Sequence, residues 1–177
     1  MGDCFQTIAD IDATAEEAGA LGARVVTWLV TEGIVRAERR YEMLGRPVYS
    51  PGPRWDDVTE WTNEGGCDGL AVITDPTVFR GSLGSDGSAV CPHCSARATA
   101  APWPEAAEIW HRTGTAELPC PVCDRMVPLP EWTWEGDRFA FAHLGFEIWN
   151  AARPRPEFVA EFGRVLGHRI RTVAGKL

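Results

Sequence analysis

Four of the six cysteines form two Cys-x-x-Cys pairs, and this pattern restricts the fold more than any other feature of the chain. The pairs occupy residues 91–94 (CPHC) and 120–123 (CPVC), with 25 residues between them. Each pair lets a tight turn direct two sulfur atoms at one point, and two such turns complete a tetrahedron that zinc accepts at about 2.3 Å per bond. The spacing therefore predicts one structural zinc ion, with the ligands Cys91, Cys94, Cys120 and Cys123.

Residues 91–123 resemble the zinc-ribbon and zinc-knuckle modules, in which two such turns hold one ion. Those modules often place glycine after the second cysteine of each turn, whereas this chain has Ser95 and Asp124. A plain ribbon also has a β-hairpin between the turns, where the pattern from Pro104 to Arg112 predicts a short helix. The resemblance covers under a fifth of the chain and implies a structural ion for this segment alone.

Two other chemistries share this cysteine pattern. The sequence CPHC at residues 91–94 is identical to the active-site sequence of some thioredoxin-like thiol oxidants. Those enzymes need a low-pKa cysteine at a helix N-terminus. Rubredoxins hold iron in the same four-cysteine geometry. Zinc is the favoured interpretation because a redox pair gives the second motif no role. The ion is expected to be structural rather than catalytic, because four thiolates leave no open position for water.

The composition favours an ordinary water-soluble globular protein. Apolar residues make up 45% and charged residues 24%, and no apolar run approaches the roughly 20 residues of a membrane span. The N-terminus has no signal-peptide pattern, so we expect a cytoplasmic protein, in which paired cysteines indicate metal binding or catalysis more often than disulfides. Arginine outnumbers lysine sixteen to one, which suggests a GC-rich bacterial genome.

The charge is distributed unevenly along the chain. The net charge of −8 disfavours nucleic-acid binding, because that binding depends on a positive field over the phosphates. Residues 151–177 carry six cations and two acids, so this segment is +4 and the rest of the chain is −12. The basic segment could bind an acidic partner or neutralise its own domain, and the second interpretation is favoured.

Local patterns predict strand–helix–strand units at both ends of the chain. Strands are expected at 4–11, 34–43, 70–74, 138–149 and 170–174, with helices from Thr14 to Gly33 and from Pro156 to Gly167. Two such units commonly form a four-stranded ferredoxin-like sheet with both helices on one face. We therefore predict a single α+β domain over residues 1–177, with a zinc-binding insertion at 88–127.

The sequence offers two places where the protein could act. Trp132 and Trp134 lie between acids and suit a surface that binds a protein partner. They could equally pack the zinc module against the sheet, and packing is the favoured interpretation. The acids at positions 56, 57, 60 and 64 form a cluster with helical spacing between 56, 60 and 64, and an enzyme using Asp57, Glu60 and His143 is the alternative. A binding or regulatory protein is preferred, because the sequence has no HExxH, GxSxG, P-loop or GxGxxG motif. Nucleic-acid binding through the zinc module is the third hypothesis.

Overall fold

The computed structural model describes residues 3–43, 46–60, 67–81, 88–98 and 103–176, which form a mixed α/β structure with antiparallel sheets. The helices are α1 (Ala15–Thr31), α2 (Trp103–Thr113) and α3 (Pro156–Leu166). The strands are β1 (Cys4–Asp10), β2 (Val35–Met43), β3 (Arg46–Pro51), β4 (Gly69–Ile73), β5 (Thr77–Arg80), β6 (Ala89–Val90), β7 (Arg97–Ala98), β8 (Glu117–Pro119), β9 (Met126–Pro128), β10 (Thr133–Trp134), β11 (Phe139–Ala142), β12 (Leu144–Trp149) and β13 (Ile170–Lys176). No helix among these described residues is long and apolar enough to cross a membrane.

The helix boundaries follow the predicted local signals. Thr14 caps α1 through a capping box, in which its hydroxyl accepts from the Glu17 N–H at 3.3 Å and the Glu17 carboxylate accepts from the Thr14 N–H. Gly33 follows the end of α1 with a φ of 69°, and Gly167 ends α3 with a φ of 72°. Both glycines adopt the left-handed conformation that other residues reach only with strain.

A six-stranded antiparallel sheet forms the centre of the fold, in the order β13-β1-β12-β4-β3-β2. The predicted four-stranded ferredoxin-like arrangement is not confirmed, because the sheet has six strands, with β4 and β3 lying between β12 and β2. Residues 46–51 contain two prolines, Pro47 and Pro51. They form β3 because Pro47 and Pro51 lie near its ends, while Val48 and Tyr49 between them pair with β4.

Helices α1 and α3 cover one face of this sheet. The main core lies between the two helices and the sheet. It contains Val25 and Leu29 of α1, Phe158 and Phe162 of α3, and Phe146 of β12. The ring of Phe162 lies 5.1 Å from that of Phe146, in an edge-to-face contact. Both helices are therefore fixed to the sheet by large buried side chains at helical spacing.

The opposite face is covered by a two-stranded ribbon of β5 and β11. Phe79 of β5 lies directly on Gly145 of β12, where a methyl group would overlap its ring. The single strand predicted at 138–149 is wrong in this respect, because the chain bends at His143 and changes layers. Residues 139–142 and 144–146 are buried throughout, so the polar–apolar alternation that locates a strand's faces is absent at the bend.

A second core lies around the cysteine segment. Trp110 of α2, Leu118, Val127 and Leu129 contribute to it, as do Phe139 and Phe141 of β11. The Trp110 ring meets that of Phe141 edge-on at 6.0 Å. Because β11 also packs against the main sheet, its aromatic residues link the second core to the rest of the fold.

Candidate metal centre

The four clustered cysteines lie on two β-hairpin turns, which we call the knuckles. The first knuckle (residues 91–96) connects β6 to β7, and the second (residues 120–125) connects β8 to β9. In the first, the Cys91 N–H donates to the Ala96 carbonyl at 2.9 Å and the Ser95 N–H donates to the Cys91 carbonyl at 2.9 Å. The second repeats both bonds, from Cys120 to Arg125 and from Asp124 to Cys120, at 2.8 and 2.9 Å. Two equivalent turns therefore hold the two pairs.

Ser95 and Asp124 occupy the position after the second cysteine of each knuckle. Their φ angles are 57° and 56°, in the left-handed region where glycine is the least strained residue. The knuckle conformation is therefore reached without the glycines that similar modules often have at this position.

The sulfur positions fit a tetrahedral metal ion. The Sγ atoms are 3.9 Å apart in the pair Cys91–Cys123 and 3.6 Å apart in the pair Cys94–Cys120, and all four lie within 4.8 Å of one another. A tetrahedron with metal–sulfur bonds of about 2.3 Å has edges of about 3.8 Å. A disulfide brings its sulfurs to about 2.05 Å. The arrangement is therefore a cluster of free thiols at metal-binding distance.

The pKa values of the clustered thiols also favour the binding of a cation. Backbone N–H groups of Cys123 and Val122 stabilise the Cys120 thiolate and lower its pKa to about 6. The Ala96 N–H favours the Cys94 thiolate, but partial desolvation and the hydrogen bonds of the three neighbouring sulfurs outweigh it and raise the pKa of Cys94 to about 12. Four thiolates cannot all carry charge at this distance without a positive ion between them.

Burial differs between the ligands. Cys91 and Cys120 are buried in the second core, Cys123 is partly buried, and Cys94 is exposed. Val122 and Met126 are large apolar side chains of the second knuckle and its strand that stay 65% and 53% exposed. The metal would therefore lie at the border between the second core and the solvent.

Trp132 and Trp134 are buried in this core rather than exposed. Their residues are 1% and 3% accessible, and the Trp132 indole N–H donates to the Val127 carbonyl at 3.3 Å. The Trp134 ring packs 5.2 Å from Phe139. These two side chains pack the apolar core of the module, which is the alternative that the sequence favoured, and they offer little exposed surface to a partner. The existence of a protein partner stays a prediction.

The residues of the enzyme alternative are not joined by contacts in the described part of the chain. The Asp57 carboxylate accepts from Arg54 Nε at 3.0 Å, and Glu60 lies beside a cleft described below. His143 packs its ring 5.1 Å from that of Trp110, and its buried Nδ1 has no hydrogen-bond partner among the residues that the structure describes. Glu64 lies outside the described residues. The thiol-oxidant arrangement also differs, since Cys91 and Cys94 are followed by β7 rather than by a helix.

Sequence patterns did not indicate the pair formed by the buried Asp10 and the partly buried His168. Asp10 is fully buried at the end of β1, and both its carboxylate oxygens lie within 3.1 Å of His168 Nδ1. Asp10 Oδ1 also accepts from the backbone N–H groups of Asp12 and Ala13. The pair joins the turn after β1 to the residue after α3, and a separation of 158 positions leaves no local signal for it.

A cleft of about 670 Å³ was also missed. It runs along β13 and is bounded by the first half of α3 on one side and by Gly136 and Asp137 on the other. Arg153 and Glu60 line it near the start of α3. Its size is within the range of ligand sites, roughly 300–1,000 Å³.

Comparisons with known proteins found no relative. No family model matches the chain, and neither the curated proteins nor the solved structures contain a match. The resemblance to zinc-binding modules therefore rests on the local geometry of the cysteines.

Proposed function

We propose that this chain is a zinc-containing binding protein. Cys91, Cys94, Cys120 and Cys123 hold one structural Zn²⁺, and the protein acts by contacting a protein partner rather than by catalysis. The closed set of four sulfur atoms within 4.8 Å carries this proposal. A catalytic zinc needs an open coordination position, which a complete set of four thiolates does not provide.

Zinc is proposed because the donor set is all sulfur and the turns are preformed. Thiolates favour zinc and iron over hard cations, and zinc brings no redox chemistry that the surroundings must control. Binding free energies of about 10–16 kcal/mol for such sites exceed the stability of most domains. The ion therefore maintains the second core and every surface attached to it.

A bacterial cytoplasm is the proposed setting. All six cysteines are free thiols in the structure, as expected for a reducing compartment. The excess of arginine over lysine supports a GC-rich bacterial source. Nucleic-acid binding is not proposed, because the net charge of −8 opposes it.

Metal analysis of protein purified without added zinc tests the ion. Native mass spectrometry should show one zinc per chain, and rubredoxin-like absorbance would identify iron instead. Less than half an equivalent of metal together with a Cys91–Cys94 disulfide would contradict the proposal.

Partner binding is tested by cross-linking zinc-loaded protein in extract of its source organism and reconstituting any product from purified components. The Cys120→Ser variant serves as the metal-free control and Cys4→Ser as the matched cysteine control. The expected result is a reconstituted complex that forms with Cys4→Ser and weakens with Cys120→Ser. The proposal fails if no candidate reconstitutes with the wild-type protein.

A further inference from the structure

The four sulfurs of the metal centre differ in their access to small reagents. Cys94 is exposed, Cys123 is partly buried, and Cys91 and Cys120 are buried. A cysteine reacts fastest with an oxidant when its sulfur has thiolate character and can be reached from solvent. Metal coordination keeps every ligand sulfur deprotonated, so access decides between the four. Cys94 is therefore the position at which an oxidant first attacks the centre.

Two sulfur contacts run from one knuckle to the other. The Sγ atom of Cys94 lies 3.6 Å from that of Cys120, and the Sγ atom of Cys91 lies 3.9 Å from that of Cys123. A disulfide brings its two sulfurs to about 2.05 Å, so closing the shorter contact needs a movement of about 1.5 Å. Cys120 is therefore placed to attack an oxidised Cys94 sulfur.

The two knuckles belong to separately built hairpins. Strands β6 and β7 form a sheet with β10, whereas β8 and β9 form a two-stranded sheet of their own. Each knuckle closes through its own backbone hydrogen bonds, between residues 91 and 96 and between residues 120 and 125. A bond between Cys94 and Cys120 would join the two hairpins and leave these turn bonds in place. A bond inside one Cys-x-x-Cys pair would add no link between the hairpins.

We propose that the metal centre is also a redox switch, in which hydrogen peroxide oxidises Cys94 and the reaction ends in a Cys94–Cys120 disulfide. This rests on the proposed function and adds the regulation of the same site. The Cys94 thiolate attacks one peroxide oxygen and the O–O bond breaks, which gives a sulfenic acid and hydroxide. The Cys120 thiolate then attacks the Cys94 sulfur, and a second hydroxide leaves as the S–S bond forms. The two cysteines lose two electrons to the peroxide, and both hydroxides take up protons to become water.

The disulfide removes two of the four metal donors. Cys91 and Cys123 remain, and two thiolates do not complete the tetrahedral set that holds a structural zinc ion. Oxidation therefore releases the ion and interrupts any partner contact that depends on the loaded module. A dithiol reductant reverses the reaction by thiol–disulfide exchange, so the loaded form returns in a reducing compartment.

The position of the disulfide in the wild-type protein tests the proposal. Zinc-loaded protein is treated with one equivalent of hydrogen peroxide, alkylated and digested with trypsin. Cleavage after Arg80, Arg97, Arg112 and Arg125 places the first cysteine pair in peptide 81–97 and the second in peptide 113–125. A bond between the knuckles joins these two peptides, and fragmentation should assign it to Cys94 and Cys120. A chromogenic chelator should detect the released zinc, and a dithiol with added zinc should restore the loaded protein.

Two matched histidine variants test the order of attack. Cys94→His and Cys123→His each leave three thiolates and one imidazole, a donor set that zinc also accepts. Cys94→His should release zinc roughly tenfold more slowly than the wild type, whereas Cys123→His should stay within about threefold and still form the linked peptides. Cys4→Ser removes an exposed thiol outside the centre and should behave like the wild type.

The possible outcomes separate this switch from the metal centre itself. Disulfides confined to each Cys-x-x-Cys pair, or equal release rates from the two histidine variants, overturn the switch and leave the zinc centre standing. Retention of zinc in excess peroxide does the same. Protein that holds no zinc before peroxide is added overturns both proposals. The wild-type disulfide map decides the question without a variant if a histidine variant does not load.

Discussion

Ser95 and Asp124 adopt the same left-handed conformation at equivalent positions of the two knuckles, with φ angles that differ by a single degree. Each residue follows the second cysteine of its knuckle and allows the turn to close. Neither is glycine, although this conformation favours glycine. The two residues differ in cost, because aspartate tolerates this conformation better than serine.

Replacing Ser95 by glycine should stabilise the zinc-loaded protein by about 1 kcal/mol, because it removes steric strain at a positive φ. Asp124→Gly should gain less. Chemical denaturation of the holo-protein measures both. Ser50→Gly in β3 is the control and should be destabilising, since Ser50 has no positive φ. Equal losses in all three variants would contradict this account of the knuckles.

Removing the metal should open the module while the main core stays folded. The second core depends on the cysteine turns, whereas α1, α3 and the six-stranded sheet enclose a separate cluster. Hydrogen exchange after chelation should therefore increase in residues 88–98 and 117–128 and change little in α1 and α3. Uniform exchange over the whole chain would show instead that the metal stabilises both cores together.

Trp132→Ala should destabilise the protein by about 3–5 kcal/mol, because the indole is fully buried and its N–H is hydrogen-bonded. Val122→Ala, at the most exposed apolar side chain of the second knuckle, should change stability by less than about 0.5 kcal/mol. Denaturation at a fixed zinc concentration compares the two. A small effect of Trp132→Ala would place that ring at the surface after all.

Glu147→Gln should be more stable than the wild type at neutral pH. Burial raises the pKa of Glu147, and the charge of Arg46 and the Trp149 N–H only partly offset this. A raised folded-state pKa makes the wild type lose stability as the pH rises through that value, and the neutral amide avoids the loss. The advantage of Glu147→Gln should shrink toward pH 4.5 in denaturation curves. If the stability difference between Glu147→Gln and the wild type does not change with pH, its cause is packing rather than the charge of Glu147.

Local sequence signals correctly predicted the features that depend on neighbouring residues. Thr14 and Glu17 marked the start of α1, Gly167 marked the end of α3, and the cysteine spacing identified the metal-binding cluster. Each depends on residues a few positions apart or on the geometry of a single turn.

The missing features depend on contacts between distant residues. The bend at His143 accompanies the contact of Phe79 with Gly145, and these two residues belong to different strands, β5 and β12. The burial of Trp132 and Trp134 follows from pairing between β10 and β6, more than 40 residues away. Acidic residues can flank a tryptophan that is exposed as well as one that is buried. The acids beside Trp132 and Trp134 therefore could not show whether these side chains lie at the surface or in the core.

The position of β1 between β12 and β13 determines the order in which the molecule can be built. Its residues leave the ribosome before those of the other strands of the sheet, whereas both of its strand partners, β12 and β13, are made from residue 144 onward. All four cysteines of the cluster have been made by residue 123, so an ion could bind the knuckles while β1 is still unpaired. The folding rate of the sheet should therefore reflect the slow search for these long-range pairings, with the metal module already formed as a fixed point in the chain.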